Sequence, residues 1–268
     1  MAHNVSFATR RKIFNFSERY YWFMHSPWAG GVMLVVFMVL ALVLGNLPAT
    51  KGWYYGILQS HFTIGFDGFA LSKSIEHWIN DGLMVIFFFY VGLEIKREII
   101  AGELSSPRQA AMPIAAAVGG MLFPAAIYLV FNHGNDYASG WGIPMATDIA
   151  FAIGVLSLLG NRVPLSLKVF LTALAIVDDL GAILVIALFY STEIDFTLLI
   201  AAGAVFGLLI LLNRMHVYAM KFYLIPSIVL WILFLYSGVH ATIAGVLIAL
   251  TIPAVPRYSK PYFIRKTR

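Results

Sequence analysis

The sequence predicts an all-α integral membrane protein with about eight transmembrane helices. Two bulk properties carry this prediction. The 268 residues are 60% hydrophobic and only 12% charged, and their mean hydropathy is +0.84. Soluble domains are about 45–50% apolar and about 25% charged, so the composition excludes both a soluble globule and a disordered chain. At about 20 residues per span, the length accommodates eight spans joined by short loops.

Apolar segments follow one another along the chain and define the predicted spans. They cover residues 28–47, 79–95, 109–131, 141–159, 165–190, 196–212, 220–236 and 239–252. We interpret residues 1–268 as a single transmembrane domain, with the membrane region at 28–252 and a basic cytoplasmic tail at 253–268. The first span follows a basic stretch without a small-residue cleavage pattern, which indicates an uncleaved span.

The stretch between the first two spans has a different pattern. Residues 49–78 carry aromatic and β-branched side chains that alternate loosely around Gly65 and Gly68. Alternation bounded by glycine predicts a short β-hairpin, followed by an amphipathic turn. We expect this hairpin loop on the periplasmic side.

The placement of lysine and arginine sets the predicted orientation, because cytoplasmic loops are enriched in both residues. With a cytoplasmic N-terminus, all but two of the 18 lysines and arginines fall on the cytoplasmic side; the exceptions are Lys51 and Lys73. An even number of spans then places both termini in the cytoplasm. The basic residues flank apolar segments instead of forming one patch, which excludes a nucleic-acid partner. The absence of cysteine excludes disulfides and thiol metal sites.

Three carboxylates fall well inside the predicted spans, where a charge costs about 2.5–3.5 kcal/mol on insertion scales, whereas Asp81 and Glu94 lie near the two ends of the second span. Asp178 and Asp179 lie near the middle of the fifth span, and Asp148 lies in the fourth. Adjacent residues of a helix point about 100° apart, so the pair requires polar surroundings on two sides. The alternative to a functional site is a structural pair that neighbouring helices satisfy.

The fourth span contains Pro144, which removes one backbone donor, and Thr147 and Asp148 follow within four residues. Interrupted helices are tolerated in membranes where the freed backbone lines a cavity. We therefore predict a discontinuous fourth helix that presents free carbonyls, a hydroxyl and a carboxylate at one depth. The alternative is a simple proline kink in which Asp148 caps the second half of the helix.

Together these residues form an oxygen-only set of the kind that hard cations prefer. Burial and mutual repulsion also make such carboxylates bind protons more tightly, and an adjacent pair titrates as a coupled unit. Protons and a small cation would then compete for the same oxygens. If access to the site alternates between the two sides of the membrane, this competition is sufficient for antiport.

Three stretches resemble the NhaA family of sodium/proton antiporters. They contain the strings VGLEIKREII, MATDIAFAIGVLSLLG with AIVDDLGAIL, and SGVHATIAG, and the resemblance runs from about residue 15 to about residue 255. It implies export of Na+ (or Li+) in exchange for H+ across the bacterial inner membrane, for pH and sodium homeostasis, with no cofactor besides the transported ions. It also implies an NhaA-like fold, from which this chain lacks the last four of twelve helices, and a possible homodimer through the hairpin at 49–73.

The resemblance also implies roles for single residues. Asp178 and Asp179 bind the exchanged ions, with Asp179 the more direct sodium ligand, and Thr147 and Asp148 belong to the unwound stretch of the fourth helix. Asp81 lines the periplasmic ion path. The residues linked to pH sensing are Glu94, Lys96, Arg97, Glu98 and His240.

Other interpretations of the sequence remain open. The chain can be a truncated, transport-inactive fragment or one half of a split antiporter. A more remote alternative is an intramembrane aspartyl protease in which Asp148 and Asp178 share a proton. Residues 94–98 can be a solvated helix end, and His240 an interfacial residue at the start of a span.

Overall fold

The computed structural model describes residues 21, 26, 29–66, 69–147, 152, 155–156, 159, 162–191 and 194–254. Asp148 and most of the second half of the predicted fourth span lie outside the described residues. Within the described part the chain is largely helical. Four helices are long and apolar enough to cross a membrane. They are Ala29–Asn46, Pro107–Asn132, Leu165–Phe189 and Phe196–Arg214.

Seven of the predicted spans coincide with helices in the described residues, whereas the described first part of the fourth, 141–159, lies in a 3-10 helix, Asp136–Met145. We number the longer ones in chain order as α1 (Ala29–Asn46), α2 (Pro48–Gln59), α3 (Met84–Ala101), α4 (Pro107–Asn132), α5 (Leu165–Phe189), α6 (Phe196–Arg214), α7 (Lys221–Tyr236) and α8 (Thr242–Thr251). The helix α7 and the helix α8 are apolar but shorter than a full span. A π-helical turn, Trp78–Leu83, leads directly into α3.

The predicted hairpin is present but shorter than expected. Strand β1 (His61–Phe66) pairs antiparallel with β2 (Phe69–Ser74), with His61 opposite Ser74. Residues 49–59, which we assigned to the hairpin loop, instead belong to the helix α2. Pro48 occupies the first turn of that helix, where its missing N–H has no intrahelical partner to lose.

Helices α3 and α8 pack against each other at two glycines. A Cβ at Gly245 would lie 2.4 Å from the carbonyl oxygen of Val85 and 2.9 Å from the backbone nitrogen of Phe89. A Cβ at Gly92 would lie 2.7 Å from the Cβ of Ala249. The two backbones therefore touch at a distance that only glycine permits, as is common where membrane helices cross.

The largest buried apolar cluster joins the second half of the chain. Its fully buried members are Ala202 and Leu209 of α6, Tyr223 and Leu230 of α7, and Ala244 of α8. By contrast, α1 exposes most of its large apolar side chains. In a membrane, such apolar side chains face lipid instead of water, so their exposure carries no penalty.

Helices α4 and α5 place the fourth predicted span beside the acidic pair. Gly181 of α5 lies against Met121 of α4, and a Cβ at Gly181 would come within 2.5 Å of the flexible Met121 side chain. Met121 and Ala125 in turn pack on Met145, at the end of a 3-10 helical segment, Asp136–Met145. This packing holds that segment against the side of α5 that carries Asp178.

Candidate functional site

Asp178 is the most deeply buried carboxylate that the structure describes. Its side chain lies near the middle of α5 and is 2% exposed. The backbone N–H of Thr147 donates a hydrogen bond to Oδ2 of Asp178 over 2.8 Å. The other carboxylate oxygen, Oδ1, is buried without a hydrogen-bond partner among the described residues. One oxygen is thus fixed by the backbone, and the other is available to a proton or a cation.

Asp179 follows directly and is less buried than its neighbour. Because successive helical residues diverge by about 100°, the two carboxylates leave α5 in different directions. Ile176 and Leu180, which flank the pair, pack against Val91 and Ile95 of α3. The acidic pair therefore lies where α5 meets α3 on one side and the segment Asp136–Met145 on the other.

The segment Asp136–Met145 explains how a backbone N–H reaches the carboxylate. This 3-10 helix contains Pro144, which offers no N–H, and it ends at Met145. Ala146 then adopts an extended conformation, with φ −86° and ψ 143°. The N–H of Thr147 is consequently free of a helical partner and turns to Asp178. The sequence predicted a hydroxyl contribution from Thr147, and the structure adds a contact from its backbone N–H to the same carboxylate.

Two tyrosines anchor the same segment at its outer end. The hydroxyl of Tyr190, at the C-terminus of α5, donates to the carbonyl of Ser139 and accepts from the N–H of Gly142. Tyr128 of α4 donates to the carbonyl of Tyr137. Neither tyrosine was among the functional residues that the sequence predicted. The only available signal was their place near the ends of apolar spans, which aromatic residues favour for general reasons.

Asp81 lies in the π-helical turn that precedes α3 and is half-buried. Its backbone carbonyl accepts a hydrogen bond from the indole nitrogen of Trp231 over 2.6 Å, and the Trp231 ring packs near Trp78. These contacts join the turn to α7. No hydrogen bond connects Asp81 to Asp178 in the part of the chain that the structure describes.

The charged residues near the end of α3 do come together. Arg97 donates to the carboxylates of Glu94 and Glu98, with 3.1 Å to Oε1 of Glu98. The hydrogen bond that Arg97 donates to Glu98, followed by the charge of Glu94, raises the pKa of Arg97 above its usual value. The Arg97 side chain is 64% exposed. Exposed ion pairs contribute about 0–1 kcal/mol, so this group adds little to stability.

Lys96 differs from its charged neighbours, because it binds the end of another helix. Its ammonium donates to the carbonyls of Leu250 at 2.7 Å and of Ile252 at 2.5 Å. The side-chain amide of Asn213, on α6, donates to the carbonyl of Thr251 between them. Three successive carbonyls at the C-terminus of α8 are therefore satisfied by side chains, and a cation there also complements the helix dipole. Burial lowers the pKa of Lys96.

Replacing Lys96 by methionine is expected to destabilise the protein by about 2 kcal/mol, because the apolar stem is kept while two charge-assisted hydrogen bonds are lost. Thermal unfolding of the detergent-solubilised protein measures the effect. Lys51→Met, at an exposed position of α2, is the matched control and should melt with the parent. Equal melting of Lys96→Met and the parent would show that the cap contributes nothing to stability.

His240 lies just before α8 and is half-buried. Its backbone carbonyl accepts a hydrogen bond from the N–H of Ile243, which begins the first turn of that helix. His240 lies at the start of the eighth predicted span, 239–252, and the helix α8 begins two residues after it. No hydrogen bond links it to Glu94, Arg97 or Asp178 among the described residues.

The fold and the site together define a class of protein. Of the described helices that are long and apolar enough to cross a membrane, α5 carries two carboxylates near its middle, as in a multi-pass membrane protein that handles ions. The profile of the family described as "Na+/H+ antiporter 1" matches residues 21–265 of the chain. The chain belongs to this family, and it is a multi-pass membrane protein.

Curated relatives agree with this assignment. The chain is 61% identical, over 84% of its length and 50% of the relative's, to "Na(+)/H(+) antiporter NhaA" of Oleidesulfovibrio alaskensis. It is 54% identical, over 89% of its length and 54% of the relative's, to "Na(+)/H(+) antiporter NhaA 2" of Syntrophotalea carbinolica. With "Na(+)/H(+) antiporter NhaA" of Shewanella pealeana it shares 52% identity over 86% of its length and 59% of the relative's. The chain thus spans little more than half the length of these relatives.

Proposed function

We propose that this chain takes part in the exchange of sodium or lithium ions for protons across a bacterial inner membrane. The observation that carries the proposal is the buried carboxylate of Asp178, with one oxygen bound by the N–H of Thr147 and the other without a described partner. A proton and a small cation each neutralise such a carboxylate and occupy the same oxygen. Because both need that oxygen, binding of one ion displaces the other, which is the coupling that antiport requires.

The proposed ion site also includes Asp179 and Asp148. Asp179 supplies a second carboxylate beside the first, and Asp148 follows Thr147 directly in the chain. Oxygen ligands of this kind suit hard monovalent cations. In this proposal the chain crosses the membrane eight times, and its fourth span is discontinuous around residues 145–147. The names of the curated relatives, which are sodium/proton antiporters, support the same reaction.

The remaining predicted residues take supporting roles in this proposal. Asp81 lines the ion path on the periplasmic side, and the linked group of Glu94, Arg97 and Glu98 responds to cytoplasmic pH. Lys96 and His240 belong to the same pH response. The hairpin of β1 and β2 forms a contact between two copies of the chain. Both termini lie in the cytoplasm, as the distribution of lysine and arginine requires.

Everted membrane vesicles from a strain without sodium/proton antiporters test the reaction. After respiration has acidified the vesicle lumen, adding Na+ should dissipate the pH gradient in vesicles that contain the chain, as recorded with a pH-sensitive dye. Vesicles without the chain are the control and should show no response. Absence of a sodium response, with the chain shown to be in the membrane, contradicts the proposed function for this chain.

A further inference from the structure

The hydroxyl of Tyr190 bridges two backbone groups that are distant in sequence. It donates to the carbonyl of Ser139 over 2.7 Å and accepts from the N–H of Gly142 over 2.9 Å. Tyr190 itself is the C-cap residue of α5. One phenol group therefore fastens the middle of the segment Asp136–Met145 to the end of the helix that carries the acidic pair.

The segment is shaped to accept this tyrosine. A Cβ at Gly142 would lie 2.7 Å from Oη of Tyr190 and 2.9 Å from its Cε2, so a larger residue would push the ring away. Trp141 packs against Phe189, with 5.1 Å between ring centroids, and lies beside Tyr190 at 6.2 Å. The glycine and the aromatic neighbours leave the Tyr190 hydroxyl little freedom to move.

The same segment touches α5 a second time, where the N–H of Thr147 binds Asp178. From Gly142 to Thr147 the backbone can span about 17 Å at full extension. From Asp178 to Tyr190 the helix rises about 18 Å. The 3-10 turns shorten the real span of the segment, and the side chains of Tyr190 and Asp178 supply the remainder. The stretch from Gly142 to Thr147 is therefore nearly as long as the distance between its two contacts with α5, at Tyr190 and at Asp178.

We propose that Tyr190 is a positioning residue that sets the depth of the segment Asp136–Met145, and so holds the N–H of Thr147 against Asp178. Tyr128, by comparison, binds the carbonyl of Tyr137 at the far end of the segment, outside the stretch from Gly142 to Thr147. The effect on ion binding rests on the proposed function, because it requires Asp178 to be an ion site. The effect on the position of the segment does not.

The absence of cysteine from the chain allows a direct test of position. Met145 is 5% exposed, between the two attachments, so Met145→Cys introduces a single protected thiol. Tyr190→Phe keeps the ring and removes only the hydroxyl. In the Met145→Cys background, we expect Tyr190→Phe to raise the rate at which a small thiol reagent modifies Cys at this position about tenfold. The reason is the loss of the hydrogen bonds that hold the segment against α5. Tyr137→Phe removes an exposed hydroxyl of the same segment and is the matched control.

Sodium binding to the purified chain gives the second readout. We expect Tyr190→Phe, without the cysteine, to weaken the apparent sodium affinity about tenfold while the number of sites and the melting temperature stay unchanged. A merely structural role would instead reduce the fraction of protein that binds and leave the affinity of the rest unaltered. Gly142→Ala, which displaces the ring by a different route, should reproduce both changes.

The outcomes separate the two proposals. Faster modification and weaker sodium affinity in both variants support the positioning role. Modification of Tyr190→Phe at the parental rate overturns it, and so does faster modification with unchanged sodium affinity. If the parent chain binds no sodium, the proposed function fails, and the modification rates alone decide whether Tyr190 holds the segment.

Discussion

Replacing Asp179 by asparagine is expected to weaken sodium binding by about 100-fold or more, because a charged contact to a buried ligand contributes about 3 kcal/mol. Asparagine keeps the size and one oxygen of the side chain but removes its charge. Asp178→Asn should have an effect of similar size. Its remaining oxygen can still accept the N–H of Thr147, so this variant removes charge and leaves that contact in place.

Calorimetric titration of the purified chain with NaCl at alkaline pH measures both variants. Asp195→Asn is the matched control, because Asp195 is exposed and caps α6 through bonds to the N–H groups of Thr197 and Leu198. Asparagine caps helices as well as aspartate does, so this variant loses a carboxylate and nothing else. Parental sodium affinity in both Asp178→Asn and Asp179→Asn would exclude the acidic pair as the sodium site.

Outside the fourth span, the sequence predicted the apolar helices well, because the apolar length of a helix is a local property. The sixth predicted span, 196–212, and the helix Phe196–Arg214 differ by two residues at one end. The predicted hairpin loop began too early, because the aromatic and β-branched residues of 49–59 favour strands while Pro48 favours the start of a helix. Proline is frequent at the first position of a helix, so Pro48 is the signal in the sequence that indicates the start of α2.

The contacts that build the site were harder to predict than its residues. The sequence assigned Thr147 and Asp178 to one set of oxygen ligands but did not identify the backbone N–H of Thr147 as a group that binds the carboxylate. Lys96 meets the carbonyl of Leu250 across 154 positions of the chain, and Tyr190 meets Gly142 across 48. Such partners depend on how helices pack, which no pattern within one helix contains.

Gly245 is the position where one added methyl group should damage the fold most. Its Cβ would face the backbone of α3, at 2.4 Å from the carbonyl oxygen of Val85, and backbone atoms cannot rotate away as a side chain can. We expect Gly245→Ala to destabilise the protein by about 1–3 kcal/mol, as overpacking does, and Gly245→Val by more. The melting temperature and the monodisperse fraction of the detergent-solubilised protein measure both effects.

The matched control for this crossing is Gly203→Ala on α6, where an added Cβ meets nothing within 4 Å. There alanine should be neutral or stabilise the helix by about 0.5–1 kcal/mol.

Gly92→Ala should destabilise like Gly245→Ala, and adding Ala249→Gly should restore part of the loss, because it removes the Cβ that lies 2.7 Å away. Independent, additive effects of Gly92→Ala and Ala249→Gly would contradict the close crossing of α3 and α8, since residues in contact couple in a double-mutant cycle.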